Sequence, residues 1–478
     1  MTQLDLVVLV LALLGPVLAL AGLARLPATL VLFTLGLLSA MLPGLPGLRI
    51  PPEWLTSICL PPLLYAATVR VTWHLLRFTL LRGVLAGIML SAASVVAAAA
   101  LARLLLPELG WPAAIGIGIV AALADTRLFH EAKGRPHVPR AVADLLKARE
   151  MVGRLVALTA FGLTMATLER GEAPGLPEAA AQTAWQWAGG AAAGLGLGWA
   201  VVRLRARAEP APVEIAVSIA TPYLAAFAAR QLDISVVMAV SAAALVVAAA
   251  KVNRETGASD TSAAETRISA MAFWEEASLF LSSILFFLAG RALPEAVAGL
   301  GQWPLVQTAG AAAAILALVL AMAFLANLAT TPMPGRRVAS AGVMAWSSTR
   351  SVIGLLVVLS IPAEGALAAE RSLLLVVGSL VVIGSVLVQG LTLGPVVRRA
   401  ALGTGDEARR EEERAIRAGS EAARHEGPDA ARREALRLRE RDSIGDETLN
   451  KVLREADLAT RAAEGPAKAL PGAGPPNP

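Results

Sequence analysis

The chain has 478 residues, of which 56% are hydrophobic and 17% charged, and it carries a formal net charge of +5 at pH 7. So few charges at this length exclude a water-soluble globular fold, because one core could not enclose that much apolar surface. The single cysteine, Cys59, excludes an intramolecular disulfide and reads as a small core residue in an apolar run.

Leucine, alanine and valine come in runs of roughly twenty residues, the length that carries a helix across about 30 Å of hydrocarbon. The strand alternation of an outer-membrane barrel is absent. In chain order the runs fall near 4–24, 29–45, 54–70, 78–105, 111–130, 146–168, 181–202, 212–230, 234–250, 271–293, 304–328, 338–361 and 372–397. The pattern predicts an all-α integral membrane protein with about thirteen transmembrane helices. The first run has Asp5 and no basic residue at its start, so it reads as a retained span rather than a signal peptide. Pro16, Pro61, Pro62 and Pro222 fall inside runs, where neighbouring helices can satisfy the freed carbonyls. Gly190, Gly194 and Gly198 form a small-residue ridge, for close helix packing or for dimerisation.

Loop charges set an orientation. One alternate set of loops holds Arg70, Arg77, Arg82, Arg127, Lys133, Arg135, Arg140, Arg203, Arg205 and Arg207. The same set continues through Lys251, Arg254, Arg267, Arg336, Arg337, Arg398 and Arg399. The opposite set carries about one basic residue per loop: Arg49, Arg103, Arg170, Arg230, Arg291 and Arg371. By the positive-inside rule the chain starts outside and ends in the cytosol, which needs an odd number of spans. The same rule accounts for the basic excess, so no nucleic-acid partner is required. Three regions are expected: a transmembrane domain over 1–400, a charged helical cytosolic tail over 401–465, and a disordered end over 466–478. In the tail both charge signs recur at helical spacing beside a weak apolar stripe of Leu449, Val452, Leu453 and Leu458. It is either a solvated extension or a regulatory, dimer-contacting segment.

Ionisable groups inside apolar runs are costly and mark ion pathways or buried pairs. Asp125 closes the run AIGIGIVAALA, and Arg149, Glu150 and Arg154 lie in KAREMVGRLVAL. Glu275 and Glu276 open FWEEASLFLSSILFFLAG, Arg350 sits within AWSSTRSVIGLLVVLSIP, and Tyr65 follows the double proline of CLPPLLYAA. Such a set suits a secondary ion transporter, since a buried carboxylate can trade a proton for a cation. The other reading is a set of ion pairs that only lock helices together.

These segments resemble the monovalent cation:proton antiporter family, the sodium/proton exchangers. FWEEASLFLSSILFFLAG, Phe273 to Gly290, is similar to the family's tenth-span signature, with Ser282 at the usual asparagine. LPGLPGL and LPPLLYAA resemble its second and third spans, with Ala66 where a glutamate is common. ATPYLAAFAARQLDIS looks like its eighth span running into the ninth. WSSTRSVIGL resembles the W-x-G-x-R-G signature, with Arg350 kept and both glycines replaced, by Ser348 and Ser351. The tail's IGDETLNKVLREADL is similar to bacterial members. The resemblance implies a fold of two inverted repeats, with two broken helices crossing at mid-membrane, in a homodimer in the lipid bilayer of a bacterial cytoplasmic (inner) membrane. It implies that monovalent cations and protons are exchanged, with no cofactor.

The resemblance also places the ion site, and there the chain departs from the family. The family's T-D-P turn corresponds to Ala124, Asp125 and Thr126, so the acid is kept while the threonine ligand and proline are gone. Asp125 and Arg154 are 29 positions apart, the family's usual spacing between its two aspartates. In that register Arg149 replaces a core glutamate, Glu150 a serine ligand, Gly153 an asparagine, and Arg154 the ion-binding aspartate. Arginine does not release its proton in proteins, so Arg154 cannot carry one. Glu150 precedes Arg154 by four residues, on one helix face, where the two can pair. Either Asp125 and Glu150 form a titrating pair with Arg154 as a tethered cation, or Glu150 only neutralises Arg154 in a sealed, non-transporting relative that serves as a membrane scaffold or sensor. Arg350 is expected to find an acid in Glu150 or Glu275. His130 and His137 lie in the basic loop between the fifth and sixth spans, either as cytosolic pH sensors or as solvated loop residues. No H-E-x-x-H, G-x-S-x-G or nucleotide loop supports an enzyme.

Overall fold

A computed structural model describes residues 3–24, 27–42, 51–69, 73–126, 140–171, 175–205, 211–250, 261–330, 337–400, 406–426, 428–440, 443–444, 448–449 and 451–456. His130, His137, Leu458 and the expected disordered end lie outside the described residues.

Over its described residues, each of the thirteen apolar runs falls on one helix or on two or three successive helical pieces. The first two are α1 (Gln3–Ala24) and α2 (Ala28–Met41). The third is composite: α3 (Pro52–Trp54), a π-helical turn (Leu55–Cys59) and α4 (Leu60–Thr68). Pro61 and Pro62 fall at the opening of α4, where a missing N–H costs least. Long helices follow: α5 (Trp73–Leu105), α6 (Trp111–Ala122), α7 (Arg140–Arg170), α8 (Leu176–Arg205), α9 (Ala211–Gln231), α10 (Val236–Ala250), α11 (Thr261–Ala298) and α12 (Leu305–Thr330). The last two runs are each divided, into α13 (Arg337–Ser347) and α14 (Val352–Leu359), then α15 (Arg371–Ser385), a π-helical turn (Val386–Gly390) and α16 (Leu391–Ala400). Among the described residues five helical stretches are long and apolar enough to cross a membrane unaided.

Glycine ridges set the closest packing. The ridge Gly190, Gly194 and Gly198 on α8 lies against α10: a Cβ on Gly194 would sit 2.2 Å from the Ala239 carbonyl oxygen. Of the two roles open to this ridge, close packing within the chain is the one it fills. A second contact is reciprocal. A Cβ on Gly36 of α2 would lie 2.1 Å from the Phe287 oxygen of α11, and one on Gly290 of α11 would lie 2.0 Å from the Phe33 oxygen. Even Gly290→Ala is therefore expected to force these helices apart at a cost of about 3 kcal/mol or more. A lowered melting temperature or a lost monodisperse peak in detergent would register it.

Two broken segments meet in the middle of the bundle. α6 ends at Ala122, α13 ends at Ser347, and the extended residues beyond them pair antiparallel as β1 (Ala124–Asp125) and β2 (Thr349–Arg350). The register sets Ala124 opposite Arg350 and Asp125 opposite Thr349. The pairing sets the chain beyond α6 against the break between α13 and α14, where the crossing is expected, and it accounts for a short strand pair among described residues that are otherwise mostly helical. Extended backbone at this depth is tolerable only when buried in protein or lining a cavity.

The charged tail folds on itself. Helices α17 (Asp406–Glu426) and α18 (Pro428–Glu440) bury Ala415 and Ala435 with Ile444, Leu449 and Val452, and Leu453 packs against them. The apolar stripe read from the sequence is thus the cover of a small helical core.

Candidate functional site

The crossing leaves helix ends pointing at one another, and their carbonyls need donors. Arg350 supplies them: its guanidinium donates to the Ala121 oxygen of α6 and, at 2.7 Å, to the Ser348 oxygen just past α13. A cation at two helix C-termini also opposes their partial negative charge. Its backbone N–H donates to Ser385 Oγ at 2.8 Å. Ser385 Oγ in turn donates to Gln389 Oε1. From the second π-helical turn Gln389 Nε2 reaches the oxygens of Trp346 at 3.0 Å and Ser348 at 3.3 Å. Ser351 Oγ accepts from the Ile353 N–H at 3.3 Å and caps α14. Gln389→Leu is expected to strip these carbonyls of a donor and cost about 1–3 kcal/mol in thermal unfolding.

The expected acid partners of Arg350 are not used. Among the described residues no carboxylate lies within ion-pair distance of it. Glu275 and Glu276 are exposed on α11. The buried stripe of that helix runs Trp274, Ser278, Ser282, Leu285, at helical spacing, which turns the two glutamates outward. Trp274 is one of the signature residues facing inward; its Nε1–H donates to Ser218 Oγ at 2.9 Å, and its ring lies 4.6 Å from that of Tyr65. Ser282, at the position of the family's usual asparagine, is buried and is not among the residues that line the central cavity.

That cavity of about 420 Å³, a volume that includes the open space at its mouth, lies against the crossing and is lined by Arg149, Glu150, Arg154 and Arg350. Ala124 and Gly153, both named from the motif register, also line it, together with Ser91, Ser94 and Ser348. All four charged residues are buried, as is Asp125. Asp125 is on the crossing strand and within electrostatic reach of Glu150.

Arg149 projects from α7 to Asn327 Oδ1 on α12 and, at 3.1 Å, to Ser348 Oγ. Where the resemblance puts a core glutamate and a glycine, this chain has an arginine and a serine that bond each other. Glu150 does not close an ion pair with Arg154. Its Oε2 accepts from Thr126 Oγ1 at 3.0 Å, and its Oε1 has no hydrogen-bond partner among the described residues. Helical spacing puts Glu150 and Arg154 on one face, but the carboxylate turns to the crossing strand, where a hydroxyl meets it.

Three bonding residues were missed in the sequence: Asn327, Ser385 and Gln389. The two amides stand alone in LANLAT and SVLVQGL, and a lone amide in an apolar run carries the same cost argument that drew attention to the charges.

The model of the family described as "Sodium/hydrogen exchanger, transmembrane" matches residues 9–399. The chain belongs to the sodium/hydrogen exchanger family. Membership places it among multi-pass membrane transporters rather than in an enzyme class. An uncharacterized Na(+)/H(+) exchanger of Mycobacterium bovis is 27% identical over 396 residues, covering 79% of this chain and 71% of its own length. Two such exchangers of Mycobacterium tuberculosis, from strains CDC 1551 and H37Rv, match with the same figures. Among solved structures, the sodium proton antiporter MjNhaP1 of Methanocaldococcus jannaschii superimposes with a TM-score of 0.66 at 15% identity. The match covers 84% of this chain and 99% of that one, and it bears on the fold.

Proposed function

We propose that this exchanger homologue trades a monovalent cation for protons by alternating access, with Asp125 and Glu150 as the groups that carry them. The observation behind this is the placement of two buried carboxylates at the crossing of the broken helices, one with an oxygen that no described residue engages. Two neighbouring carboxylates out of water hold either a proton or a cation between them, and that competition is the basis of exchange. In this reading Arg154 is a tethered cation that sets how strongly the pair attracts an ion. The transmembrane part is a homodimer in a bacterial cytoplasmic membrane, with the N-terminus outside and the folded tail in the cytosol. Loop charge asymmetry and the resemblance support that placement.

Purified protein in vesicles tests the proposal. A sodium, potassium or lithium gradient is expected to drive proton flux across the neutral pH range. Asp125→Asn and Glu150→Gln are each expected to reduce that flux by about tenfold or more. A second reading is favoured by the burial of Arg154 in the position of the family's ion-binding aspartate: a sealed relative that transports nothing. Absence of flux from the natural chain, with flux restored by Arg154→Asp, would establish the second reading instead.

A further inference from the structure

Three guanidinium groups and one carboxylate, Glu150, line the central cavity, and Asp125 is buried within electrostatic reach of Glu150, so three positive charges stand against two negative ones among these described residues. A net charge buried in a membrane protein is expensive, and it is met by a counter-charge or by water. Two of the arginines are already committed. Arg350 is spent on the Ala121 and Ser348 carbonyls, and Arg149 on Asn327 and Ser348 Oγ. Arg154 is different: it is buried at 9% exposure, lines the cavity, and its Nε has no hydrogen-bond partner. The acid on its own helix face, Glu150, attracts it electrostatically but accepts its hydrogen bond from Thr126, and its charge is shared with Arg149.

The geometry points to a small monovalent inorganic anion, of the size of chloride or nitrate, bound in this cavity on the Arg154 guanidinium. Guanidinium N–H groups are weakly hydrated and grip anions well in a low-dielectric site. Ser94 brings a hydroxyl to the same wall. Ser91 cannot donate there, because its hydroxyl hydrogen goes to the Gly153 oxygen at 2.9 Å. The bound anion balances the arginine cluster, so a proton or cation enters a neutral site rather than a positive one. The inference goes beyond the proposed exchange and does not require it. An arginine cavity binds an anion whether or not the carboxylates pass ions.

Thermal unfolding of the full-length protein in detergent separates the two. With N-methylglucamine as the only added cation, replacing gluconate by chloride at constant ionic strength is expected to raise the melting temperature saturably. Arg154→Gln is expected to weaken the apparent chloride affinity by about tenfold or more, while Arg154→Lys retains most of it. Equilibrium dialysis of radioactive chloride against the natural protein gives a readout that needs no variant. No saturable chloride effect in the natural protein by either method, or an equal effect in Arg154→Gln, overturns the inference. A separate arm with sodium gluconate reports on the carboxylates. Stabilisation there without any by chloride leaves the exchange reading intact and removes this one.

Discussion

Arg154→Asp is expected to raise cation-driven proton flux in vesicles by about two orders of magnitude. A fixed positive charge about 4 Å from a monovalent cation repels it by roughly 4 kcal/mol at an effective dielectric near 20. The aspartate removes that repulsion and adds an attraction of the same order; partial screening by Asp125 and Glu150 trims the total. Arg154→Gln, which removes the charge without adding a carboxylate, is expected to fall between the two. The same substitutions should weaken chloride binding by about tenfold or more, because the anion loses its guanidinium. Equal flux from all three proteins would show that Arg154 does not face the ion path.

The second large effect is structural. Arg350→Ala is expected to cost about 3–5 kcal/mol, as removal of a buried charged donor does when it leaves its acceptors behind. The carbonyl of Ala121 would lose its side-chain donor, and that of Ser348 would keep only Gln389 Nε2 at 3.3 Å. Arg350→Lys keeps the charge but reaches one of the two carbonyls at a time, so about half the loss should return. Melting temperatures in detergent decide this. Because no acid is paired with Arg350 among the described residues, Glu275→Gln, an exposed site, should leave stability within about 0.5 kcal/mol. A large loss from Glu275→Gln together with a small one from Arg350→Ala would contradict the assignment.

The helices were legible in the sequence because a membrane helix must be largely apolar, and each apolar run coincides, over its described residues, with helical segments, a pattern compatible with thirteen spans. The motif register groups Ala124, Arg149, Glu150, Gly153 and Arg154, and these residues do line one cavity, beside Arg350. Bonding was not legible. Spacing by four residues put Glu150 with Arg154, but spacing fixes a face and not a rotamer, and Thr126 on another segment took the carboxylate. The partners of Arg350 were sought among acids because charge is visible in a sequence. The carbonyls of Ala121 and Ser348 become available only where the helices break. Glu275 stands next to the buried Trp274, and one position of helical rotation separates the core from the surroundings. The serines in place of two signature glycines have uses that only the fold shows: Ser348 accepts from Arg149, and Ser351 caps α14.

The central claim is that a proton and a cation compete for the Asp125–Glu150 pair. Proton release from purified protein in weakly buffered detergent, on addition of sodium, potassium or lithium, measures that competition directly. The natural protein is expected to release protons saturably with at least one of these cations, and Glu150→Gln to release few or none. No release from the natural protein with any of them, or undiminished release from Glu150→Gln, would contradict it.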